Sequence, residues 1–182
     1  KNNKGGIYYL ILAVIVWIGY YIRTRNLGGL RDITTGGWTL GPDLDPFFFL
    51  RLAKYIVENG TLFALDEMRY VPLGFNTKED FILHNYLIAW FHKYIGSSFL
   101  GTESVTHSAV IYPVFMFALT IIAFFFMTRK VFKESMGLMN ANLIALISAF
   151  FLSVMPPLLP RTIAGIPEKE SAAFLFMFLS FY

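Results

Sequence analysis

The chain has 182 residues, of which 56% are hydrophobic and 18% aromatic, with only 15% charged, no cysteine and a net charge of +3. Such a composition belongs to an integral membrane protein rather than to a patterned soluble core. It excludes a disulfide scaffold, cysteine-ligated zinc and a thiol nucleophile, and the few scattered basic residues give nucleic acid no patch to bind.

The first apolar run, Ile7 to Ile22, follows Lys1 and Lys4 and is close to the ~20 residues a helix needs to cross the hydrocarbon core. Tyr20, Tyr21 and Ile22 stand where a signal-peptide cleavage site wants small residues, so the run reads as a retained anchor. Arg23 to His107 then forms a long polar and aromatic segment. Within it, Asp45 is expected to cap a helix that has Pro46 at its first position, covers Phe47 to Glu58 and stops at Asn59-Gly60. Arg51, Lys54 and Glu58 make one polar stripe on that otherwise apolar helix. Asn59-Gly60-Thr61 also fits a glycosylation sequon, and the two readings stay open. A second helix is expected over Phe81 to Tyr94.

Further spans are expected at Ala109 to Thr128, Leu138 to Leu159 and from Ser171 onward. Lys1 and Lys4 before the first span, with Arg129, Lys130 and Lys133 between the second and third, mark those short segments as cytoplasmic. The long segment 23–107 and the short loop 160–170 then share the extracytoplasmic side. The chain starts at Lys1 and stops at Tyr182 inside an apolar run, so it reads as a fragment of a longer protein.

Two motifs could carry chemistry. Gly41-Pro42-Asp43-Leu44-Asp45-Pro46 sets two carboxylates two residues apart before a helix, and carboxylates suit a hard cation such as Mg²⁺ or Mn²⁺. The competing reading is that Asp45 only caps the helix. Arg161-Thr162-Ile163-Ala164-Gly165-Ile166-Pro167-Glu168-Lys169-Glu170 puts an anion-binding fork before an acid-x-acid pair at the positive end of the fourth span. Interfacial anchoring is its competing reading. His84 is a further candidate for phosphate contact, set against a packed role in its aromatic helix, while His92 and His107 read as interfacial.

Taken together, Asp45 on the stretch Asp45-Pro46-Phe47-Phe48-Phe49-Leu50-Arg51, and Arg161-Thr162-Ile163-Ala164-Gly165 followed by the acid-x-acid pair, resemble the catalytic subunit of oligosaccharyltransferase. The archaeal branch is the most similar. The resemblance implies an all-α integral membrane fold of the glycosyltransferase C type, a multi-spanning helical domain whose long first outer loop contains helices. It implies that residues 1–182 are the N-terminal part of that domain and that a soluble C-terminal domain with a Trp-Trp-Asp pocket follows elsewhere. The fragment alone is then expected to be inactive.

The same resemblance makes Asp45 a catalytic and metal-ligating aspartate, Arg161 the catalytic arginine, and Glu168 with Glu170 the metal-side pair, with Mn²⁺ or Mg²⁺ as cofactor. Glu168 departs from the commoner Asp at its position. Asp43 and His84 are secondary substrate-binding candidates. The implied substrates are a dolichyl phosphate- or diphosphate-linked oligosaccharide and the asparagine of an Asn-x-Ser/Thr acceptor, met at the extracytoplasmic face of a multi-pass membrane protein among membrane lipids. The rivals are another transferase of the superfamily, such as a protein O-mannosyltransferase, and a non-enzymatic transporter, which the absence of charges inside the spans disfavours.

Overall fold

A computed structural model of the chain describes residues 6–182, so the expectations for Lys1 and Lys4 lie outside the described residues. The chain divides into two compact units. One comprises the described residues up to Gly29, with Pro113–Ala164 and Glu168–Tyr182. The other comprises Leu30–Tyr112 with Gly165–Pro167.

The first unit is built on α1 (Gly6–Thr24), the larger part of α4 (Val105–Val154) and α5 (Lys169–Ser180). In α1 the buried residues Leu12, Ile15, Gly19 and Arg23 fall on one stripe. Its other faces expose Ile7, Leu10, Val14 and Trp17, so it is apolar all round without being enclosed by protein. That is the surface a lipid solvent tolerates and water does not. Gly6–Gly29 and Val105–Val154 are both long and apolar enough to cross a membrane.

The long α4 departs from helical geometry at Gly137, where φ is 74° and ψ 165°. There the chain reverses, because Phe117, Ile121 and Phe125 before the break share a core with Ala145, Leu146, Ala149 and Leu152 after it, and with Leu12 and Ile15 of α1. Ala141, Ala145, Ala149 and Ser153 recur every fourth residue, each fully buried. Small residues at this spacing let helix backbones approach closely, which is the main source of helix association where lipid removes the hydrophobic drive. Phe178 of α5 packs on Phe124 at a ring separation of 4.7 Å.

Two expectations are corrected here. The basic stretch Arg129 to Glu134, expected as a loop between spans, continues α4 as helix, since no Gly or Pro interrupts it before Gly137. The helix after Gly137, expected as a third span reaching Leu159, ends at Val154, because Pro156, Pro157 and Pro160 convert the next stretch into a 3₁₀ helix, Pro156–Arg161.

The second unit is folded from the long polar segment. Helix α2 (Leu44–Asn59) packs Phe49, Leu52, Ala53 and Ile56 inward, and α3 (Leu83–Phe91) lies against it and continues into a π-helical turn, His92–Gly96. Gly60 closes α2 by donating its N–H to the Ile56 carbonyl at 2.8 Å, so Asn59-Gly60 does serve as the expected stop. A short antiparallel pair, β1 (Leu65–Asp66) with β2 (Phe75–Asn76), adds strand to a fold expected to be all-α. The pair is anchored by the Thr77 hydroxyl, which donates to the Phe63 carbonyl, and by the Thr77 N–H, which donates to the Ala64 carbonyl at 3.0 Å. Nearby, Trp38 stacks on His107 with ring centroids 4.5 Å apart, and the Arg31 guanidinium lies 3.6 Å from the Trp38 centroid. His92 is buried and its Nδ1 pairs with the Ser108 hydroxyl at 2.8 Å, a packed role rather than an interfacial one.

Candidate functional site

In the second unit, the aspartates of the first motif separate into two roles. Asp43, not Asp45, caps α2: its backbone is extended and its Oδ1 accepts the Leu44 N–H at 2.7 Å. Asp45 instead lies in the first turn, and Pro46 is still tolerated there because its missing N–H would have no helical partner. The Asp45 side chain is exposed and makes no hydrogen bond or ion pair among the described residues. It is a carboxylate held at the positive end of a helix and left available, which removes capping as its reason for being acidic.

The stretch before this acid pair is clamped to the second motif by backbone. The Gly41 N–H donates to the Gly165 carbonyl at 2.9 Å, and the Gly165 N–H donates to the Val110 carbonyl at 2.9 Å. Gly165 is required by its backbone conformation, and Gly41 gives room to a neighbouring side chain. A Cβ on Gly165, whose φ is +84°, would stand 2.6 Å from Leu30 Cδ1, and one on Gly41 would stand 2.5 Å from Ile166 Cδ1. His84 joins the same clamp, since its Nε2 lies 2.9 Å from the Pro167 carbonyl and its ring meets Phe49 and Tyr112 edge to face. Only 6% of His84 is exposed, so the structure gives it a packing role under the 165–167 stretch.

The polar stripe of α2 faces a cavity of about 640 Å³ lined by Phe47, Arg51, Lys54, Tyr55, Glu58 and Asp66 among others. Arg51 forks onto Asp66, with one bond of 3.0 Å and a second, shorter one, while the Met68 N–H also reaches the carboxylate. Arg51 beside it holds the Asp66 carboxyl below the usual carboxylate range, against the opposing effect of burial. Nothing local in the sequence marked Asp66 as that partner.

In the first unit, Arg161 and Glu168 are brought together: the guanidinium donates to Glu168 Oε2 in an ion pair. The side chain of Arg161 is 49% exposed and that of Glu168 only 4%. Glu168 is the N-cap residue of α5, its carbonyl accepts the Ser171 hydroxyl at 2.7 Å, and Glu170 sits in the first turn, so both acids stand at the positive end of α5 as expected. Sequence reasoning missed Arg23. Expected at the start of the long polar segment, it is instead carried by α1 into the interior at 1% exposure, where its Nε donates to the Thr162 hydroxyl at 2.7 Å. The one signal was Gly19, a turn earlier on the same stripe.

As to a metal, no three His, Asp or Glu side chains stand together in a group able to hold one among the described residues. Asp45 has the right character for a single ligand to Mn²⁺ or Mg²⁺, being a hard, available carboxylate, whereas the Glu168 carboxylate is engaged by Arg161. The donor chemistry therefore fits, but the described residues do not complete a coordination shell.

Residues 33–182 match the family described as "Oligosaccharyl transferase STT3, N-terminal". A curated relative, dolichyl-phosphooligosaccharide-protein glycotransferase 2 of Archaeoglobus fulgidus, is 26% identical over 175 residues, covering 94% of this chain. The chain spans only 26% of that relative's length.

Proposed function

The chain belongs to the oligosaccharyl transferase STT3 family, and from that membership we propose that its full-length protein moves a dolichyl phosphate- or diphosphate-linked oligosaccharide onto the asparagine of Asn-x-Ser/Thr acceptors. The observation that carries this reading is the Gly41–Gly165 backbone bond, which within the second unit ties the acid-bearing Gly41–Asp45 stretch to the Gly165–Pro167 part of the second motif.

In this reading the asparagine amide nitrogen attacks the anomeric carbon of the donor sugar. The carbon–oxygen bond to the lipid phosphate breaks, the electron pair leaves with the phosphate, and the nitrogen loses a proton. An amide nitrogen is a poor nucleophile, so an acceptor group that binds its N–H where charge develops is worth most there. Asp45, exposed and unengaged, has that role. Arg161 supplies a fork of donors suited to a phosphate oxygen, and the buried Glu168 holds that fork in place. A bound Mn²⁺ or Mg²⁺ would neutralise the phosphate leaving group, with Asp45, Glu168 and Glu170 as the carboxylates of this chain assigned to it. Asp43 is a secondary substrate contact, limited by its capping duty.

The protein is proposed to be multi-pass, with residues 34–106 and 161–170 on the extracytoplasmic side and 129–134 cytoplasmic. Single cysteines labelled with impermeant maleimide test this: Lys130→Cys is expected to react only from the cytoplasmic side and Thr61→Cys only from outside. Outer-side labelling at Lys130→Cys would overturn the topology. The activity itself is tested by glycan transfer to a synthetic Asn-x-Thr peptide.

A further inference from the structure

Arg23 is the most deeply buried charged residue among those described, with 1% of its surface exposed. Its contacts all lie within the first unit. Besides the Nε bond to Thr162, one terminal nitrogen donates to the Ser153 carbonyl at 2.8 Å and to the Gly19 carbonyl at 3.3 Å. The guanidinium carbon sits 3.5 Å from the centroid of Phe117. Beside it, Gly19 lets the Ile121 side chain approach closely, since a Cβ there would stand 2.7 Å from Ile121 Cδ1.

The backbone of Arg23 grips the same strand of chain that its side chain does. Its carbonyl accepts the Ala164 N–H at 2.9 Å, and Asn26 adds a bond of 2.8 Å to the Ala164 carbonyl. Thr162 is itself fully buried, and its hydroxyl passes a hydrogen bond on to the Leu158 carbonyl at 2.6 Å. The segment that immediately follows Arg161 is therefore held at both Thr162 and Ala164 by one turn of α1.

This arrangement is an expensive way to pack a helix. No carboxylate pairs with the Arg23 guanidinium among the described residues, and its second terminal nitrogen is buried without a hydrogen-bond partner. Even buried charges that are paired can often be replaced by apolar residues of similar volume with no loss of stability. What an apolar residue cannot supply is the directed Nε–H bond to Thr162.

We propose that Arg23 is a positioning residue that fixes the Arg161–Thr162 segment, and through it the direction of the Arg161 guanidinium, for the transfer reaction. The proposal rests on the transferase reading above for its catalytic consequence, while its geometric claim concerning the segment does not.

The experiment uses the full-length protein with any other cysteines replaced. Arg23→Met and Thr162→Val are each expected to lower kcat about tenfold, equivalent to about 1.4 kcal/mol, with acceptor KM within about twofold and unchanged yield of monodisperse protein. Thr162→Ser, which keeps the hydroxyl, is expected to retain activity. In a Thr162→Val or an Arg161→Ala background, Arg23→Met should cause no further loss. A second readout does not depend on activity: maleimide labelling of the half-buried Ile163→Cys should speed up about fivefold in both Arg23→Met and Thr162→Val. Should Arg23→Met fail to accumulate, the Thr162→Val and Thr162→Ser pair decides by the same criteria. Unchanged labelling, or losses that multiply with those of Arg161→Ala, would overturn the proposal. Faster labelling in a protein that transfers no glycan would uphold the positioning and instead remove the transferase reading.

Discussion

Replacing Asp45 by Asn in the full-length protein is expected to lower glycan transfer by about 100-fold or more, about 2.7 kcal/mol of transition-state stabilisation, while yield and membrane insertion stay the same. The expectation of an intact fold follows from the structure, because the α2 cap is Asp43 and the Asp45 side chain holds no other residue in place. Asp43→Ala is the companion variant. As the cap, it is expected to cost about 1 kcal/mol of stability, read as a lower midpoint of thermal unfolding, with a milder effect on turnover than Asp45→Asn. Near-normal turnover in Asp45→Asn, with metal dependence unchanged, would return Asp45 to an ordinary first-turn acid favoured only by the helix dipole.

The second large effect is expected at Glu168, the buried carboxylate that pairs with Arg161. Glu168→Gln should raise the Mn²⁺ or Mg²⁺ concentration needed for half-maximal transfer, Glu168→Asp should be mild, and Glu170→Gln should weaken metal use less than Glu168→Gln. The ion pair to Arg161 gives this series its discriminating power. Breaking a fully buried pair costs about 3–5 kcal/mol, but the Arg161 side chain is 49% exposed, so the loss here belongs nearer the exposed limit of about 1 kcal/mol. Stability alone then cannot account for a large fall in transfer. If Glu168 served only to hold Arg161, the shorter Glu168→Asp would lose the reach and behave like Glu168→Gln. If Glu168 also ligates a metal, Glu168→Asp keeps most of its activity while Glu168→Gln shifts the metal titration. Equal, metal-independent losses at Glu168 and Glu170 would mean that the pair anchors α5 and nothing more.

The features legible in the sequence were those set by local chemistry. The apolar run of α1, the stop of α2 at Asn59-Gly60 and the acid pair opening α5 each announce themselves within a few residues. The choice between Asp43 and Asp45 as cap was not legible, because Pro46 is acceptable at several first-turn positions and so fits either start. The continuation of α4 through Arg129 and Lys133 is not legible locally, since a basic cluster between two apolar runs looks like a connection, whereas these residues are good helix formers and the break needs Gly137. Partners distant in sequence were out of reach of any local rule. Arg51 with Asp66, Arg23 with Thr162 and Gly41 with Gly165 are fixed by tertiary packing, and the close approach of Gly41 to Ile166 becomes meaningful only once the chain is folded.

The central claim is transfer to an amide nitrogen, and one assay addresses it directly. Full-length protein in membranes is incubated with lipid-linked oligosaccharide, Mn²⁺ and a fluorescent peptide carrying a single Asn-x-Thr site, and the product is read by mass and by fragmentation. The account predicts a glycan mass on the asparagine, none on the matched Gln-x-Thr peptide, and none from Asp45→Asn. Sugar found on the threonine hydroxyl, or an unmodified peptide despite intact donor and inserted protein, would contradict it.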